Sequence, residues 1–211
     1  MAGIAAGGAV STAAETLDRV VASIGHQAIT ASDVEQEYRF ESFLDAQWPP
    51  PPPTAAQLAE ARDRLTDQIV LTLEENPGLA DRAESEKSAA LRLDALRKQY
   101  VHPEDYERAV KDLGMSESEL AARLAQEELI LRLIDQRLRP AATPGDDAIA
   151  DYYRSTFLPE FQKKNGGAAA PPLSEVADQI REILTQKRIN ALLDQWIEEL
   201  KPTTNVRVHT F

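Results

Sequence analysis

Two short stretches in which apolar and polar residues alternate frame a chain whose interior repeats with helical period. Asp18 to Ile24 alternates as a strand, Gly25-His26-Gln27 supplies a turn, and Ala28-Ile29 a short return strand. Val206 to Phe211 alternates again near the other end. An isolated hairpin is marginal in water, so the pattern predicts that the last strand pairs with the first hairpin. The expected fold is mainly α: a helical bundle with a small antiparallel β-sheet formed by the N-terminal hairpin and the C-terminal strand.

Between the strands, start and stop signals divide the helical pattern. Thr30 with Asp33 forms a capping box, and Phe40, Phe43, Leu44 and Trp48 follow at i, i+3, i+4 and i+8 as one aromatic-rich face, stopped by Pro49 to Pro53. That proline run reads as a rigid loop or spacer. Thr54 with Gln57 caps a second helix along Leu58, Ala61, Leu65, Ile69 and Leu73, and Asn76-Pro77-Gly78 ends it. From Glu84 to Gln99 only Leu91, Ala95 and Leu96 form a weak stripe, which predicts a helix lying on the surface. Pro103 and Gly114 bracket a short helix carrying Tyr106, Val110 and Leu113. Ser116 with Glu119 opens the next, through Leu120, Leu124 and Leu138 to Pro140. After Pro144 a brief helix carries Ile149, Tyr152, Tyr153 and Phe157; residues 162–172 have the composition of a linker. Ser174 is the expected cap of a long last helix running to Pro202.

Four segments, Leu17 to Val34, Leu113 to Leu120, Ile149 to Tyr153 and Pro172 to Leu184, together make the chain resemble the N-terminal chaperone module of the SurA family, periplasmic proteins that escort unfolded outer-membrane polypeptides. The resemblance implies one chaperone domain over residues 15–211, a periplasmic or otherwise exported location, and ATP-independent binding of unfolded polypeptides. In SurA-like and PrsA-like proteins a parvulin prolyl isomerase domain stands between a helix with a Tyr-Tyr pair and a helix like Leu173 to Leu200. Here only residues 162–172 occupy that place, far below the ~40 residues an independent domain needs. The chaperone role is therefore carried over and the isomerase role is not.

Composition narrows the partners. Over 211 residues the formal net charge is −12, which argues against nucleic acid and anionic membrane surfaces, both of which need basic surface. No apolar run approaches the ~18 residues of a membrane span, so stable insertion is not expected. Residues 1–14 are small and apolar without a basic start, and read equally as a signal-peptide remnant, a misplaced start or a flexible tail. The absence of cysteine removes disulfides and thiolate chemistry.

No nucleophile-elbow, P-loop, dinucleotide or zinc-protease pattern occurs, so no catalytic residue, cofactor or metal is expected. His26 and His209 are brought towards each other if the terminal strands pair, without an acidic ligand beside them. Phe40, Phe43, Leu44 and Trp48, with Met115 as an adaptable contact, are the candidate peptide-binding residues; bundle core is their competing assignment. The alternative function is a structural or assembly subunit that uses the same apolar face as a fixed homodimer or partner interface.

Overall fold

The computed structural model describes residues 18–74, 78–166 and 168–209; the tail at 1–14, the Asn76-Pro77 stop and the strand end at Thr210-Phe211 lie outside them. Strands β1 (Val20–Ile24) and β2 (Gln27–Thr30) form the expected antiparallel hairpin. Its loop is only Gly25-His26, because Gln27 already belongs to the strand, and Gly25 takes the positive φ of 56° that so tight a turn demands. β3 (Val206–Val208) pairs antiparallel with β1, Ile24 opposite Val206 and Ala22 opposite Val208. The sheet order is β2-β1-β3. A mainly helical fold closed by a small sheet from both ends of the chain is therefore observed.

Helices α1 (Ala31–Leu44), α2 (Ala55–Leu73) and α5 (Glu117–Ala142) begin at the anticipated capping boxes of Thr30, Thr54 and Ser116. In each, the cap side chain takes a backbone amide of the first turn and the third helical residue answers the cap's own amide. α4 (Pro103–Leu113) starts on its proline and stops at Gly114, whose φ of 76° is left-handed.

Four expectations need correction. α3 (Leu79–Gln99) is not a surface helix: Ser85, Ala89, Leu93 and Leu96 are buried against the bundle, while Leu91 is 65% exposed. Serine and alanine add little to a hydropathy pattern, yet their small size lets α3 lie close along α5. α1 ends at Leu44, and Ala46 at φ 53° turns the chain, so Trp48 stands in a loop instead of on the helix face. The segment 162–172 is only partly a linker, since α6 (Asp146–Tyr152), a π-helical turn (Tyr153–Phe157) and α7 (Leu158–Lys164) follow one another without a break. Finally, Pro172 rather than Ser174 occupies the N-cap of α8 (Leu173–Thr203), and no side chain caps it.

α8 spans about 46 Å at ~1.5 Å per residue and ties the apolar clusters together. Near its start Val176 and Ile180 pack with Ile149 of α6. In the middle Ile189, Trp196 and Ile197 meet Ile130 and Leu138 of α5. Leu200 reaches the sheet cluster, where Val21, Ile29, Val34 and Val70 are wholly buried. A further cluster joins α1, α3, α4 and the first half of α5 through Phe40, Phe43, Leu93, Leu120 and Leu124. Among the described residues no helix is long and apolar enough to cross a membrane.

Candidate functional site

The end of the molecule where α1, α3, α4 and α5 converge is capped by aromatic rings. Phe43 is fully buried at the centre. Trp48 meets it edge-on with ring centroids 6.3 Å apart, Tyr100 and Tyr106 each lie 5.8 Å away, and the two tyrosines are 5.6 Å from each other. Edge-to-face and tilted pairs of this kind add to what burial alone provides. Two guanidinium groups face the outside of the cluster, Arg39 at 5.4 Å from the Trp48 ring and Arg97 at 5.6 Å from the Tyr106 ring. Arg97 also holds Glu117 through two contacts of 2.6 Å.

Of the candidate peptide-binding residues, Phe40 and Phe43 are core: they are 1% and 0% exposed. Leu44, Trp48 and Met115 are half-buried and pack against that core from outside. The aromatic stripe is thus divided between an inner part that builds the cap and an outer part that faces solvent. Met115 joins Tyr106 and Val110 in lining an open cavity of about 480 Å³, rimmed by Glu107, Lys111 and Glu117. Tyr100 was invisible to helical spacing because it lies in the loop between α3 and α4, where its hydroxyl donates to the Phe43 carbonyl at 3.1 Å. Its neighbour Val101 is 87% exposed.

Burial pushes the Tyr100 phenol up to about 12, and burial likewise raises that of Tyr106. Both hydroxyls therefore stay neutral across the physiological range. The surface left open is apolar and aromatic in its floor and charged at its rim. Such a surface can hold apolar side chains by contact.

Strand pairing keeps the two terminal histidines apart. His26 sits in the turn beyond Ile24, whereas the backbone amide of His209 donates to the Val21 carbonyl at 2.9 Å, about 10 Å back along β1 from Ile24. No three His, Cys, Asp or Glu side chains come together as a metal-binding group among the described residues.

The proline run following Trp48 is pinned to α1 through Tyr38, a member of the sheet cluster. The Tyr38 hydroxyl of α1 donates to the Pro51 carbonyl at 3.1 Å, and the Trp48–Pro49 peptide is cis. No family model, curated protein or solved structure matches the chain.

Proposed function

We propose that the chain is an ATP-independent, peptide-binding chaperone of the SurA-like kind, a holdase for unfolded secreted or outer-membrane polypeptides in the periplasm or another exported location. One observation carries this reading: the aromatic cap leaves Leu44, Trp48, Tyr100 and Met115 half-buried and Val101 exposed, and Met115 lines an open cavity. Their separate, shallow contacts suit a partner whose sequence varies, since no deep pocket demands one side chain. Methionine adapts its shape to different apolar partners. Client binding lowers the free concentration of aggregation-prone chain, and mass action releases the client once it folds or inserts. The acidic balance of the chain favours client segments that carry basic residues beside the apolar ones.

The test is light scattering from a urea-diluted outer-membrane β-barrel protein, with this chain equimolar and in roughly tenfold excess. Dose-dependent suppression is expected, and Trp48→Ala with Met115→Ala should weaken it several-fold while the thermal transition stays cooperative. Absence of suppression overturns the reading. A concentration-independent dimer without peptide affinity would assign the same face to a fixed interface.

A further inference from the structure

Among the described residues β2 has no strand on its outer side, because the sheet order is β2-β1-β3. The tight hairpin decides which backbone groups remain open along that edge. Ile24 and Gln27 close the two-residue loop as a hydrogen-bonded pair, and pairing alternates from there. Ser23 opposite Ala28 is then a non-bonded pair and Ala22 opposite Ile29 a bonded one. Ala28 consequently turns both its N–H and its C=O away from β1. The next outward amide, that of Thr30, already donates to the Asp33 carboxylate at 2.8 Å.

Alongside this open residue runs a cavity of about 330 Å³. It is lined by residues 27–29 of β2, by Leu65 and Ile69 of α2, and by Glu37 with Arg123. Side chains alternate between the faces of a strand, so three consecutive residues share one cavity where it follows the strand's edge. The far wall is held rigid: Glu37 is 3% exposed and ion-paired to Arg123, whose guanidinium lies 3.6 Å from the Phe40 ring centroid. Asp33 of α1 adds an acidic group to the lining.

We propose that the β2 edge takes up an extended polypeptide segment by strand addition. Ala28 exchanges two main-chain hydrogen bonds with one residue of the segment. An apolar side chain of that segment lies on Leu65 and Ile69, and a basic one reaches Asp33. The occupant is a strand-forming stretch in which apolar and basic residues alternate, recognised through its backbone more than its sequence. Identifying that segment as part of a client rests on the chaperone reading, and it gives the client a second point of attachment apart from the aromatic cap.

Ala28→Pro is the informative variant. It removes the outward N–H and leaves the β1 ladder intact, because proline is tolerated on an edge strand where its nitrogen faces out. Binding of a short labelled peptide of alternating valine and lysine is measured by fluorescence anisotropy on the full chain, with Ala28→Val as the variant that keeps the amide. The expected result is a roughly tenfold rise in Kd for Ala28→Pro, no comparable rise for Ala28→Val, and a matching loss when wild-type protein meets the backbone-N-methylated peptide. The methylated peptide keeps the proposal testable should the proline variant fail to fold. Equal affinities throughout overturn strand addition and leave the chaperone reading standing if aggregation is still suppressed. Wild-type protein that neither binds the peptide nor suppresses aggregation overturns both. A wild-type dimer that Ala28→Pro dissolves also overturns the proposal, since a second copy would then be the strand that β2 receives.

Discussion

Around the sheet and the aromatic cap, apolar side chains including Val21, Val34, Phe43, Val70, Leu120 and Leu124 are wholly buried, and capping boxes fix the starts of α1, α2 and α5. The arm formed by residues 146–184 is assembled otherwise. Among its described residues only Ile149, Val176 and Ile180 are buried. α6 and α8 begin at Gly145 and Pro172 without a side-chain cap. Tyr153, Phe157 and Phe161 are stacked along one helix face with ring centroids 5.6 and 5.8 Å apart, yet all three stay half-exposed. Continuous helix thus covers two regions of different cohesion: the first is held by its core, the second by a thin seam on α8. Regions with few buried contacts open at lower free energy than the whole.

The largest expected effect separates these regions directly. Phe43→Ala empties the centre of the cap and should lower global stability by about 3–5 kcal/mol, as for other buried phenylalanines. Ile180→Ala removes a wholly buried side chain too, at a local cost of about 2–4 kcal/mol. The consequence differs in place. Hydrogen exchange should show Phe43→Ala loosening the sheet and bundle together, while Ile180→Ala raises exchange in residues 146–184 and leaves β1 protected. Uniform loss of protection in Ile180→Ala would mean that arm and bundle unfold as one.

The same contrast marks what was legible in the sequence. Thr30, Thr54, Ser116, Pro103 and Gly114 announce their helix ends through local chemistry, which operates whatever the tertiary surroundings. The closing strand pair followed from the need of a short hairpin for a third strand. Burial of α3 did not show, because Ser85 and Ala89 make a seam by being small rather than apolar. Gln162 to Lys164 looked like linker by composition, yet the helix begun at Asp146 carries through them to Lys164. At the candidate site, Phe40 and Phe43 were recognisable as one face with Leu44. Which of the group remain outside depended on Ala46 turning the chain and on Tyr100 arriving from a distant loop, and neither follows from local spacing.

Charge withdrawn wholly or partly from water separates the two regions further. Glu37 on α1 pairs with Arg123 on α5, and Asp67 on α2 with Lys201 on α8 at 3.3 Å. Burial holds both carboxyls above their ordinary values, against the opposing pull of the cations. The native state therefore binds these protons more tightly than the unfolded chain does. Their contribution to stability falls as pH rises from the unfolded value through the folded one, and is regained on acidification. For Glu37, whose ordinary value is 4.5, the stability difference between wild type and Glu37→Gln should shift towards wild type as pH is lowered from ~7.5 to ~5. Urea midpoints at the two pH values check the sign; a shift in the opposite direction would show that Arg123 outweighs burial. The ion pairs of the arm, such as Arg154 with Asp151, are exposed, and surface pairs of this kind contribute about 0–1 kcal/mol. Their removal should leave the bundle unchanged.

The smallest effect tests whether capping alone can alter the arm's cohesion. Gly145 already has the extended backbone of an N-cap, φ −73° and ψ 162°, and its carbonyl accepts from the Ile149 amide at 3.3 Å. A side chain added there meets no atom within 4 Å. In Gly145→Ser the new hydroxyl can accept from the open amides of the first turn without displacing anything, and because glycine is itself a tolerable cap the gain should be only a few tenths of a kcal/mol. Ser116→Ala, by contrast, breaks a complete capping box at the start of α5 and should cost about 1 kcal/mol. α5 runs from the cap cluster to the α8 seam, so the Ser116→Ala loss should appear as a lower global midpoint. The Gly145→Ser gain should appear as slower amide exchange in residues 146–164 with the global midpoint unmoved, because the bundle unfolds at a free energy that the arm does not set. Should Gly145→Ser raise the global midpoint as far as Ser116→Ala lowers it, arm and bundle share one cooperative transition, and the half-exposed aromatic stack along Tyr153, Phe157 and Phe161 belongs to a core that the whole protein depends on.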